Sequence, residues 1–305
     1  MIKNFLKFVE IQTKITSFFA FINTLAFIIY TKQPINVPLM IIFFLSMFIF
    51  DLTTTGINNY IDSRDYPQML PIPRKVAFIC IMTMLSISTV LGLYLAYKTG
   101  IVVLLLGAFC FMLGIFYTFG PIPISRIPLG ELFSGIAYGM FIPFLMLYIN
   151  NPSYYLTFTL SLKTISLSLE VVPFISYLLF SLVMTFTTSN IMLANNTCDL
   201  ERDEAVNRLT LVHYIGRPAA VKLFSLLYYG CYVSVALMIL TNILNPGGLI
   251  FMLSIIPVSK NISSFKKEQI KEKTFICSIK NYVIINSAYF IAILFATLMN
   301  KALFC

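Results

Sequence analysis

The run VVPFISYLLFSLVMTF at 171–186 carries no charged residue, and several similar runs recur along the chain. A soluble core does not need stretches of about 20 nearly uncharged residues, whereas the hydrocarbon thickness of a bilayer does. With 59% hydrophobic residues, only 11% charged and 29 Phe, the chain reads as a polytopic helical membrane protein. The first apolar run, ITSFFAFINTLAFIIYT, is too long for the apolar core of a signal peptide and lacks an A-x-A-like cleavage site, so it is expected to be a first spanning helix.

Nine helices are expected, at 15–31, 37–57, 75–97, 101–119, 129–149, 171–193, 219–242, 247–259 and 276–299. The fold class is therefore all-α: nine transmembrane helices around a central cavity, as two pseudo-repeated four-helix units plus one helix, in a single domain over 1–305. The polar, Ser/Thr-rich segment 150–170 reads as a surface connection, partly helical. With this count seventeen Lys and Arg fall on the side of the N-terminus and four on the other. That bias is expected to put the N-terminus in the cytoplasm and the C-terminus outside, in a multi-pass protein expected in the plasma membrane. The net charge of +9 is then read as topology and contact with anionic membrane lipids, with no nucleic-acid partner.

Cys80, Cys110, Cys198, Cys231, Cys277 and Cys305 are scattered with no CxxC, and His213 is the sole histidine, so neither a zinc, haem or iron–sulfur site nor a disulfide framework is expected. Acids are the informative charges. Asp199, Glu201, Asp203 and Glu204, a third of the twelve acids, lie within six positions of ANNTCDLERDEAVNRLTL at 194–211.

That stretch has a counterpart. NNYIDSRD at 58–65 follows the second helix and NNTCDLERD at 195–203 follows the sixth, both containing N-N-x-x-D with an Arg shortly after. Four intervening helices keep the two motifs on one membrane face, as a duplicated four-helix unit would. If each motif extends its helix, Asn58 and Asp62 stack at i and i+4, and Asn195, Asp199 and Asp203 at i, i+4 and i+8. Carboxylates crowded on one face repel each other unless a cation lies between them. Oxygen-only ligands suit Mg²⁺, which binds through a few carboxylates together with phosphate oxygens. Two facing columns are suited to holding a diphosphate through bridging Mg²⁺; acids merely marking a solvated helix end are the alternative. Asp51 shares the face of Asn58 and Asp62, and its depth calls for either a substrate cavity or a hydrogen bond to a neighbouring helix. Glu201 and Glu204 lie off this face and read as solvated.

Two such motifs in a nine-helix membrane protein resemble the UbiA superfamily of intramembrane prenyltransferases, whose motifs read approximately N-D-x-x-D-x-x-x-D and D-x-x-x-D. FLKFVEIQTKITSF, YTFGPIPISRIPLGELFSG (117–135) and IMLANNTCDLERDEAVNRLTLVHYIGR (191–217) resemble the branch acting on 1,4-dihydroxy-2-naphthoate. The resemblance implies transfer of a polyprenyl chain from its diphosphate to an aromatic acceptor, giving demethylmenaquinone on the naphthoate model. Asn58 and Asp62 would bind one Mg²⁺; Asp199 and Asp203 would bind the other, with Asn195 assisting. Arg64 and Arg208 stand where the family tends to place a basic residue near the diphosphate. Asn59 replaces the common Asp, and the final acid of the first motif would stand at Tyr66, with Asp65 one residue early.

The allylic cation of such a reaction needs an aromatic face, for which Tyr117 and Tyr60 are candidates. Glu131 opens the fifth helix, where an acid complements the dipole. The basic run 260–273 is read as lipid contact, with substrate diphosphate as the alternative. A 4-hydroxybenzoate or haem prenyltransferase is the rival reading within the superfamily. A phosphatidyl-group transferase would need D-x-x-D-G-x-x-A-R, which is missing around Asp62 and Asp199. An ion-coupled transporter would place its acids near the bilayer midplane, where only Asp51 qualifies.

Overall fold

The computed structural model describes residues 2–64, 67–121, 123–161 and 163–302. Among these, eight helices are long and apolar enough to cross a membrane: α1 (Ile11–Tyr30), α2 (Val37–Asp62), α3 (Arg74–Thr99), α5 (Gly130–Asn150), α6 (Val171–Cys198), α7 (Arg217–Leu240), α8 (Pro246–Lys267) and α9 (Ile276–Asn300). A shorter apolar helix, α4 (Ile101–Phe116), lies between α3 and α5. The polytopic helical reading therefore holds.

The motif-bearing helices overshoot the bilayer. α2 has 26 residues and α6 has 28. At 1.5 Å per residue they are roughly 40 Å long against a hydrocarbon core of about 30 Å, so their last turns stand clear of it. α4 stops at Phe116, three residues short of its expected end, because Gly120 (φ 129°) and Pro121 turn the chain away. The largest packing interfaces join α2 to α3 and α6 to α7, so each motif helix lies against its successor.

α8 differs from the expected short span. It begins as 3₁₀ turns at Pro246–Ser254 and continues as an α-helix to Lys267. Val258, Ile262 and Phe265 repeat at helical spacing and are buried, while Lys260, Lys266 and Lys267 are exposed. The first part of the basic run is thus an amphipathic helix end and not a loop.

The segment 150–170 contains a single helical turn at Pro152–Tyr155 and then an antiparallel hairpin, β1 (Leu156–Leu160) with β2 (Ile165–Leu169). Its register pairs Leu156 with Leu169, Phe158 with Leu167 and Leu160 with Ile165, and sets Thr157 and Thr159 opposite Ser168 and Ser166. The L-T-F-T-L and I-S-L-S-L alternation is the period-two signal that a helix-dominated reading passed over.

α5 and α6 approach closely enough that a Cβ on Gly139 would run into the backbone and hydroxyl of Thr185. A π-helical turn at Ala137–Phe141 interrupts α5 at this contact and carries Tyr138, a cavity-lining residue. The main hydrophobic core draws buried residues from all nine helices, with Phe27, Phe180, Phe224, Phe251 and Tyr289 fully buried. A second, small cluster of Phe8, Val9, Ala77 and Ile81 seats the N-terminal helix Ile2–Phe8 against α2 and α3. The N-terminus and the first motif therefore lie at the same end of the bundle.

Candidate active site

A cavity of about 740 Å³ lies among α1–α6. Phe43, Met47, Phe50, Leu104 and Phe111 give it an apolar body, while Asn58, Asp62 and Tyr117 stand at its motif end. Lys14, Asp51, Tyr138 and Thr188 form a polar patch along its wall.

Asp51 is 6% exposed and pairs with Lys14, which is 4% exposed, at 2.9 Å. Lys14 Nζ also donates to the Asp51 carbonyl at 2.9 Å and to Thr55 Oγ1 at 2.5 Å, and Tyr138 OH donates to Asp51 Oδ1 at 2.7 Å. Both alternatives for Asp51 are thus realised at once: it lines the cavity and it bonds neighbouring elements. Lys14, counted from sequence among the interfacial lysines, is instead a buried counter-ion. Its place just before an apolar run gave no sign of that.

α2 carries the first motif. Asn58 Oδ1 accepts a hydrogen bond from Thr118 Oγ1, and Asp62 is exposed at the helix end. Asn59 turns away, donating to the Phe8 carbonyl at 2.8 Å and approaching Glu10 at 3.3 Å. Arg64 is exposed, and its guanidinium makes no ion pair among the described residues. Asp65 and Tyr66 lie outside the described residues. Tyr60 is not a cavity aromatic: Arg74 stacks on its ring at 4.0 Å and donates to Ser63, so the ring is part of the helix-end packing.

The second motif spans a break. α6 ends at Cys198, Asp199 caps it, and a short helix Leu200–Ala205 resumes. The Asp203 amide donates to the Asp199 carbonyl at 2.8 Å, so the i, i+4, i+8 column survives the break. Asn195 Oδ1 and Asp199 Oδ2 share Lys271 Nζ, the latter at 2.6 Å. Asn196, like Asn59, turns inward and donates to Glu131 Oε1 at 2.8 Å. In each N-N pair the second Asn bonds a neighbouring element, the Phe8 carbonyl in one case and Glu131 in the other.

Asp203 is 4% exposed, its Oδ1 lies 3.6 Å from Arg208, and its Oδ2 is buried without a partner. Burial pushes the Asp203 carboxyl above its ordinary value, with Arg208 pulling the other way. Arg208 is itself fixed by a 2.9 Å bond from Nε to the Ser125 carbonyl, while the Leu209 amide donates to the Arg126 carbonyl. These bonds fasten the connection after α6 to the one before α5. Arg208 is thus held 3.6 Å from Asp203 by the same connection whose Thr118 bonds Asn58 of the first motif.

Glu131 does more than complement a dipole. It is 4% exposed, accepts from Asn196, and its backbone carbonyl accepts from Ser189 Oγ at 3.0 Å, tying α5 to α6. Tyr117 OH is buried with no partner, and burial, followed by the nearby Glu131 charge, holds the phenol above its usual value. Glu201 and Glu204 are exposed as expected, but paired with Arg217 and His213 at 2.7 Å each.

The donor set suits a hard cation. Every prospective ligand is an oxygen, and the orphaned Asp203 Oδ2 has lost its water without gaining a donor. Among the described residues no three His, Cys, Asp or Glu side chains gather closely enough to hold an ion by themselves.

The cavity is apolar through most of its length, with Asn58 and Asp62 at one end. The sequence profile of the UbiA prenyltransferase family matches residues 18–276. Over 170 residues, 56% of this chain, the sequence is 27% identical to 1,4-dihydroxy-2-naphthoate octaprenyltransferase of Bacillus subtilis (strain 168), and the match spans 49% of that protein's length. A UbiA homologue from Aeropyrum pernix K1, solved in its apo form, superposes with a TM-score of 0.66 at 13% identity, covering 90% of this chain and 96% of the other. One from Archaeoglobus fulgidus, solved bound to GPP and Mg²⁺, superposes with a TM-score of 0.64 at 13% identity over 96% of this chain and 99% of the other. This chain belongs to the UbiA prenyltransferase family.

Proposed function

We propose that the protein transfers a polyprenyl chain from its diphosphate to an aromatic acceptor, with 1,4-dihydroxy-2-naphthoate as the acceptor and Mg²⁺ as the cofactor. The observation that carries this reading is the connection before α5, which bonds Asn58 of the first motif through Thr118 and Arg208 through Ser125, with Arg208 3.6 Å from Asp203 of the second motif. Relationship to the Bacillus subtilis enzyme favours the naphthoate, and the Archaeoglobus fulgidus homologue was solved with Mg²⁺.

In this reading Asn58 and Asp62 hold one Mg²⁺, and Asn195, Asp199 and Asp203 hold the other. Bound there, Mg²⁺ would neutralise charge on the diphosphate as its C–O bond breaks. Arg208, oriented beforehand by its bond to the Ser125 carbonyl, stabilises the departing anion. The prenyl chain lies in the apolar body of the cavity, which keeps water from the allylic cation. Tyr117 lines that cavity and offers its ring to the cation. The electron pair of an acceptor ring carbon forms the new C–C bond, and the naphthoate carboxyl leaves as CO₂. The distribution of Lys and Arg in the sequence supports a cytoplasmic mouth in a plasma-membrane protein.

The test is purified protein in lipid with Mg²⁺, an all-trans polyprenyl diphosphate and a panel of aromatic acceptors. Release of pyrophosphate with dihydroxynaphthoate is expected, the product forming as the demethylmenaquinol and being recovered as demethylmenaquinone after oxidation by air. Asp62→Ala and Asp199→Ala are each expected to slow release by on the order of 10²–10³-fold while remaining folded. Product with 4-hydroxybenzoate alone would move the acceptor assignment. Full activity in EDTA would remove the metal.

A further inference from the structure

The basic run that begins on the last turns of α8 contains one lysine that turns back onto the protein. Lys260, Lys266, Lys267 and Lys273 are exposed, but Lys271 turns onto the second motif and is only 34% exposed. Its ammonium bonds Asp199 Oδ2 at 2.6 Å and Asn195 Oδ1, and lies 4.7 Å from the centre of the Phe275 ring. The loop aims it there by construction. Thr274 is buried and closes a tight turn, with Ile270 N donating to Thr274 Oγ1 at 2.9 Å and Thr274 N donating to the Ile270 carbonyl at 2.8 Å.

The two motifs are unequal in this respect. Among the described residues no ammonium or guanidinium bonds Asn58 or Asp62, whereas Asn195 and Asp199 share a full positive charge between them. Next to that charge, Asp203 Oδ2 remains buried and without a partner. An ammonium seated on Asn195 Oδ1 and Asp199 Oδ2 takes the oxygens a divalent cation would use. Two such cations cannot share them, since like charges a few ångströms apart repel strongly in a partly buried site.

We propose that Lys271 is an internal counter-cation that closes the second motif to divalent metal until a diphosphate is present. This rests on the Mg²⁺–diphosphate reading above and adds an order to it. In the substrate-free protein Lys271 neutralises the Asn195–Asp199 column. When a diphosphate enters, its oxygens offer Lys271 a new anionic partner, and the metal takes the vacated carboxylate. The ammonium's partial exposure leaves it free to make this exchange.

The test uses Mn²⁺ as the probe, followed by the free-ion electron paramagnetic resonance signal, on full-length protein in detergent without substrate. Lys271→Met is expected to bind Mn²⁺ at least about tenfold more tightly than wild type, because the competing charge is gone. Lys271→Arg is expected to match wild type, and the added Asp199→Asn change to abolish the gain. Lys271→Gln, which keeps a polar group in the loop, is expected to reproduce the gain independently. Inorganic pyrophosphate is expected to bring wild type up to the level of Lys271→Met. Equal Mn²⁺ binding by wild type, Lys271→Met and Lys271→Gln, with pyrophosphate still recruiting the ion to all three, would overturn the role of Lys271 and leave the diphosphate site standing. Failure of pyrophosphate to recruit Mn²⁺ to any of them would overturn both.

Discussion

Cutting either member of the buried Lys14–Asp51 pair leaves a charge stranded. The pair is 4% and 6% exposed, so solvent screens it little. Removing one partner of such a pair costs about 3–5 kcal/mol, whereas replacing both by apolar residues is often close to neutral. The surroundings separate the two single changes. In Asp51→Leu the ammonium keeps Thr55 Oγ1 and the residue-51 carbonyl, two of its three acceptors, which places the cost near 3 kcal/mol. In Lys14→Met the carboxylate keeps only the Tyr138 hydroxyl, with Oδ2 already unpartnered, which places the cost near 5 kcal/mol. The double variant is expected within about 2 kcal/mol of wild type, a coupling of several kcal/mol. SDS-induced unfolding of purified protein in mixed micelles, followed by circular dichroism, measures all three. Single-variant losses that add in the double variant would refute this account of the pair.

Two further outcomes follow from the same geometry. Arg208→Ala is expected to lower kcat/KM for the prenyl diphosphate by roughly 10–100-fold, the value of a charge-assisted hydrogen bond, and Arg208→Lys to recover part of it; steady-state pyrophosphate release checks both. Gly139→Ala is expected to destabilise the protein by about 1–3 kcal/mol, because its methyl meets the Thr185 backbone, and to lower the melting temperature in detergent.

Much of the architecture was legible because bilayer thickness imposes itself on sequence. Runs such as 171–186 admit few alternatives, and the N-N-x-x-D spacing fixed which oxygens share a helix face. The misses have local causes. The hairpin at 156–169 is short and alternates at period two, a pattern lost when a chain is scanned for twenty-residue spans. The tail of α8 looked like a basic loop because its three buried apolar positions are diluted by lysines. Within the site, Asn58, Asp62, Asn195, Asp199 and Asp203 follow from periodicity. Lys14, Tyr138 and Lys271 do not, since each reaches its partner across the fold. Lys271 lies 72 positions from Asp199, and nothing in a run of lysines marks the one that turns inward.

The central claim is that two distant segments of the chain grip a single diphosphate through divalent ions. The most direct measurement is a structure of the protein with Mn²⁺ and a prenyl thiodiphosphate, read by anomalous scattering at the manganese edge. One peak beside Asn58 and Asp62, a second beside Asn195, Asp199 and Asp203, and the diphosphate between them is the expected result. Manganese on one column alone, or a diphosphate bound away from both, would contradict it.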